Sequence, residues 1–167
     1  PQVVGMGERD AALALLEAAR LHSRWHNAGA SAALAGLRDL MGDPDDSENL
    51  VDALYAEAWP LFVKHARFAL PPAVSAFGAS LIGRGAQIAA LTRSAARTLL
   101  HGDFRVDNLL FQGSGATRRC IVLDWESVDI GCGLSDVAWL LAGCVPDLGA
   151  EQEQRLLRVY HNALVAG

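Results

Sequence analysis

The chain has 167 residues, of which 51% are hydrophobic and 20% charged, with a net charge of −5 and a mean hydropathy of +0.20. That length and composition fit one ordinary domain with a filled core and exclude a wholly disordered chain. The acidic balance excludes the basic footprint of a nucleic-acid or anionic-membrane binder, and no run reaches the ~18 apolar residues of a membrane span.

Residues 8–28 predict a helix, with Leu13, Leu15, Leu16, Ala19 and Leu21 on its apolar stripe. A shorter helix is expected over 31–41. Gly42, Pro44 and the aspartates of MGDPDDSEN then read as a turn ending at a cap, Ser47. A third helix is expected over 48–69, offering Leu50, Leu54, Trp59, Leu61, Phe62 and Phe68 to a core and stopped by Pro71 and Pro72. Residues 73–97 look helical but are loosened by Gly78, Gly83 and Gly85. From residue 98 the texture changes. NLLFQ (108–112) and RCIVLD (119–124) have strand character around GSGAT, a hairpin signal. Helices follow at 134–143 and 150–165, the first expected to be buried. The expected fold class is α+β, predominantly α-helical, with one small hairpin.

Polar residues cluster about that hairpin. Asp103 and Asn108 stand at the two ends of the loop HGDFRVDN, and Asp124 closes the neighbouring strand. A carboxylate and an amide oxygen brought together there form a hard oxygen site suited to Mg²⁺. Asp103 is left to orient or deprotonate a hydroxyl, and Arg105 to meet negative charge on a phosphoryl group. Plainer readings stand beside these: Asp103 as a turn or cap residue, Asp124 as a strand-end cap, and Arg105 in a surface ion pair. His22 and His26 share a helix face at i,i+4, but no HExxH glutamate or third ligand accompanies them, so they read as ordinary helix residues. The acidic run 43–48 reads as a solvated loop, with attraction of a cationic substrate as the alternative. The four tryptophans are assigned mostly to the core, Trp125 beside the metal site. Cys120, Cys132 and Cys144 form no CxxC pair, so a reducing, cytoplasmic setting is expected.

HGDFRVDNLLF, then IVLDWE, then GCGLSDVAWLL resemble the aminoglycoside phosphotransferase and choline kinase group, kinase-like enzymes of small molecules. The match is close over 98–145, and AARLHSRW is similar to the helix that precedes the catalytic loop in these enzymes. HGDFRVDN with LDWE looks most like the branch that includes kinase domains fused to acyl-CoA dehydrogenases. The resemblance implies that Asp103 is the catalytic base or hydroxyl-orienting residue. It implies that Asn108 and Asp124 bind Mg²⁺, that Arg105 stabilises the transferring phosphoryl, and that His101 and Asp136 are buried scaffold of the loop. ATP is the implied donor and a small-molecule alcohol the implied acceptor, shaped by residues 29–97.

Two family parts have no match: a nucleotide-covering glycine loop and a strand lysine. Lys64, the single lysine, lies in a helical pattern. The whole of 1–167 therefore reads as a C-terminal lobe, a fragment inactive alone and missing the N-terminal ATP-binding lobe. The start at Pro1 without a leader and the stop at Gly167 fit that expectation. An apolar face left open by the missing lobe could be covered by a homodimer. The competing functions are a pseudokinase or non-enzymatic binding module, and a metal-dependent hydrolase built on His101, Asp103 and Asp124.

Overall fold

The computed structural model describes residues 4–27, 34, 37, 46–146 and 148–167. They divide into two compact units, Pro1–Leu40 with Ala96–Gly167, and Met41–Ala95. The helix expected at 31–41 (apart from Leu34 and Leu37) and the acids Asp43 and Asp45 lie outside the described residues.

In the larger unit, helix α1 (Glu8–Arg24) is shorter than expected and buries Ala11, Ala14, Leu15, Ala18, Ala19 and His22. Those positions recur at three- and four-residue steps, one face of a helix. The four alanines let α1 lie close against a second long helix, whose buried residues are Leu156 and Tyr160. Phe104, Val137, Leu140 and Cys144 complete the core.

In the smaller unit, α2 (Asp46–His65) runs through Ser47, which is therefore not a cap, and α3 (Pro72–Ser80) and α4 (Gly85–Ser94) divide what was expected as one loosened helix. The break falls at Gly83, whose φ of +73° favours glycine. Gly78 is needed for a different reason: a β-carbon there would come within 2.1 Å of the Trp59 ring. The core expected of α2 is not buried. Leu50, Leu54, Leu61, Phe62 and Phe68 are all exposed; among the described residues of the unit, α3 and α4 are the helices that pack against α2. The tryptophan assignment also fails: Trp25 and Trp59 are half-buried, while Trp125 and Trp139 are exposed.

The larger unit holds two antiparallel ladders, not the single hairpin expected. β2 (Leu109–Gln112) pairs with β3 (Arg119–Val122), Leu109 opposite Val122 and Gln112 opposite Arg119. β1 (Arg97–Leu100) pairs with β4 (Asp129–Cys132), Leu100 opposite Asp129. The two ladders involve the same two stretches of chain. Residues 97–112 run antiparallel to 119–132, and the pairing opens in the middle, where 101–108 face 123–128. Helices α5 (Leu134–Cys144) and α6 (Ala150–Ala166) follow. α5 buries Asp136, Val137, Leu140, Leu141 and Cys144 but exposes Leu134 and Trp139, so the helix expected to be buried is buried on one face only. The architecture is α+β, mostly helical with little sheet. Among the described residues no single helix is long and apolar enough to cross a membrane.

Candidate functional site

The opening between the ladders holds the residues that the sequence singled out. Its two arms are cross-braced. His101 Nε2 donates to the Leu123 carbonyl at 2.8 Å, and the Leu123 N–H donates to the Asn108 carbonyl at 2.9 Å. The Asp103 N–H reaches His101 Nδ1 at 3.3 Å, so Nδ1 is the acceptor and Nε2 carries the hydrogen. With both nitrogens engaged and the ring fully buried, His101 has no lone pair to give a metal, which removes one ligand from the hydrolase alternative. Its ring lies edge-on to Phe104 and Trp125, with centroids 5.7 and 4.9 Å away.

Gly102 is required twice over. Its φ is +82°, and a β-carbon would stand 2.0 Å from the Ser127 carbonyl oxygen of the facing arm. Behind the loop, Asp136 Oδ2 accepts the His101 N–H at 2.8 Å and Oδ1 accepts the Gly102 N–H at 3.0 Å. Asp136 sits in the first turn of α5 and is buried, so its charge is stabilised by these donors and not by water.

At the front, Asp103 Oδ2 accepts from Asn108 Nδ2 and from Arg105 Nε, each at 2.9 Å. Asn108 Nδ2 also donates to the Asp103 carbonyl at 2.9 Å. The ion pair with Asp103 is the plainer reading of Arg105, and both side chains are partly exposed. Asp124, two residues beyond β3, sits in the left-handed region, φ 62° and ψ 70°, with an exposed side chain. A non-glycine residue there costs on the order of 1 kcal/mol. Such strain persists where the surroundings enforce it, and it is common at functional positions. Leu123, bonded to the Asn108 carbonyl, opens the facing arm, and Asp124 is the next residue along it.

From the sequence, His22 reads as an ordinary helix residue. It is no ordinary helix residue: it is buried, with Nε2 3.3 Å from Asp136 Oδ2 and Nδ1 2.9 Å from the Tyr160 hydroxyl. His26 is exposed and does not join it. A usable signal was present, since the buried positions of α1 step from Ala18 and Ala19 straight to His22. Burial, and then the nearby Cys132 and Asp136, push the Tyr160 hydroxyl up to about 12. A cavity of about 430 Å³ lies on this side, bordered by His22, Thr98, Gly133 and Tyr160.

The sequence profile of the Phosphotransferase enzyme family matches residues 4–166. Mouse (Mus musculus) acyl-CoA dehydrogenase family member 10 is 47% identical over 49 residues, 29% of this chain. The matched part is only 4% of that relative's length. No solved structure matches. A match over nearly the whole chain, together with an aspartate–asparagine loop anchored by a buried aspartate, identifies this chain as a member of the phosphotransferase enzyme family.

Proposed function

We propose that this chain carries the catalytic loop of an ATP- and Mg²⁺-dependent O-phosphotransferase acting on a hydroxyl group of a small molecule. The observation that supports it most is the opening between the ladders. Partly exposed Asp103 lies there beside Asn108, and the strained Asp124 follows Leu123 on the facing arm.

The donor set suits the metal. Asn108 turns Nδ2 toward Asp103, so Oδ1 is the atom it offers to a cation, and Asp124 adds an exposed carboxylate. Mg²⁺ typically takes one or two protein carboxylates and completes its shell with waters and substrate phosphates. Bound there, it would supply charge neutralisation for the phosphates of ATP. Asp103 orients the acceptor hydroxyl and takes its proton, a role usually worth ~10²–10⁴-fold in rate. Arg105, held 2.9 Å from that carboxylate, brings positive charge to where a phosphoryl group arrives. Leu110, an exposed residue of β2, and exposed Leu123 give the nucleotide base apolar ground near Asn108. Following the resemblance, the reading leaves acceptor recognition to residues 29–97 and the gripping of ATP to a lobe outside these 167 residues.

The test is equilibrium binding of ATP by the natural protein that contains this chain, with and without Mg²⁺. Binding should require Mg²⁺ and weaken at least about tenfold in Asp124→Asn, as expected for loss of a charged ligand. Binding indifferent to both would overturn the reading in favour of a non-enzymatic module.

A further inference from the structure

His22 takes no part in the chemistry just proposed, yet it is one of the most buried polar side chains of the larger unit. Burying an imidazole is costly unless its ring nitrogens are satisfied, and both have partners here. Asp136 can only accept, so Nε2 carries the hydrogen that points at Oδ2, 3.3 Å away. Nδ1, on the other side of the ring, pairs with the Tyr160 hydroxyl at 2.9 Å. The His22 carbonyl is also held, by the Thr98 hydroxyl of β1 at 2.9 Å. Gly133 makes room for the pair: a β-carbon there would stand 2.8 Å from His22 Nδ1 and 2.9 Å from the Tyr160 oxygen. The Asp136 oxygen that faces His22 is the one that accepts the His101 N–H at 2.8 Å. A single carboxylate oxygen thus joins α1 and α6, through His22 and Tyr160, to the first residue of the loop.

We propose that His22, aligned by Tyr160, is a positioning residue that fixes the rotation of the Asp136 carboxylate and so the path of the loop from His101 to Asp103. Its meaning for turnover rests on the phosphotransferase reading; the positioning itself does not.

His22→Gln and His22→Asn separate the two ring nitrogens. A glutamine amide nitrogen falls near the Nε2 position and can still donate to Asp136, whereas an asparagine amide falls near Nδ1 and cannot. Amide hydrogen exchange in the natural protein reads the effect at His101 and Gly102. Protection there should survive in His22→Gln and fall about tenfold or more in His22→Asn, with α6 unchanged; one charge-assisted hydrogen bond is worth that much. Tyr160→Phe should give a smaller loss at the same two amides. In turnover, His22→Asn should lower kcat with the KM for ATP unchanged. Equal exchange in the Gln and Asn variants, or in Tyr160→Phe and wild type, would overturn the proposal. Differing exchange in a protein that transfers no phosphate would refute the function and leave the positioning standing.

Discussion

Asp136→Asn is the sharpest test of how the loop is held. The carboxylate accepts two backbone N–H groups, at 2.8 Å from buried His101 and 3.0 Å from part-buried Gly102, and faces buried His22 Nε2 at 3.3 Å. Asparagine has one acceptor oxygen and an NH₂ in place of the other. Placed at the Oδ1 position, that NH₂ confronts the Gly102 N–H; placed at Oδ2, it confronts both His101 N–H and His22. The first is the lesser loss. It still leaves the part-buried Gly102 N–H without its acceptor, at about 1–3 kcal/mol, and weakens the remaining bonds by removing the charge that assists them. The total is about 2–4 kcal/mol, a large part of the ~5–15 kcal/mol that holds a typical domain folded. Urea denaturation should show a midpoint lowered by roughly 1–2 M at unchanged m-value. A midpoint within about 0.2 M of wild type would mean that Asp136 does not anchor the loop, and the account of the site would lose its support.

Gly102→Ala combines a strained φ with a carbonyl 2.0 Å from the new β-carbon, so it should cost at least about 2 kcal/mol and open the loop, read by thermal melting and by faster exchange at Asp103. The Arg118 guanidinium grips Asp10 at 2.6 and 2.7 Å, and this hydrogen-bonded pairing holds the Asp10 carboxyl below its usual range. A depressed carboxylate stabilises the fold above its unfolded pKa and stops doing so as pH falls through the folded one. Arg118→Ala should therefore lower Tm more at pH 7 than near pH 2, where only its contacts with the Phe111 ring and the Gly113 carbonyl remain to be lost, and an equal loss at both pH values would contradict the pairing. All three cysteines are buried, and burial pushes the Cys120 thiol up to about 12. A maleimide at pH 7 should label none of them in the native protein and all three after denaturation; rapid native labelling of Cys120 would refute its burial.

What the sequence revealed follows from how local each signal is. β2 and β3 were legible because apolar runs flank the turn GSGAT within a few residues. β1 and β4 were missed because RTLL follows a helical stretch and DIGC is short and glycine-containing, and each becomes a strand only by pairing with the other across the chain. The members of the site were legible for a different reason: Asp103, Asn108, Asp124 and Asp136 stand in a recognisable order. His22 was not, because its burial is made by α6 and α5, and only the register of the α1 stripe hinted at it. The expected core of α2 went wrong because periodicity marks an apolar face without saying what covers it.

The central claim is that Asp103 serves phosphoryl transfer to a hydroxyl. The direct measurement is the rate of γ-phosphate transfer from ATP·Mg²⁺ to a panel of small alcohols by the natural protein, wild type against Asp103→Asn. The account predicts transfer that falls by ~10²–10⁴-fold in the variant while its melting temperature stays close to wild type. Undiminished transfer in Asp103→Asn, or metal-dependent phosphate release that needs no ATP, would contradict it.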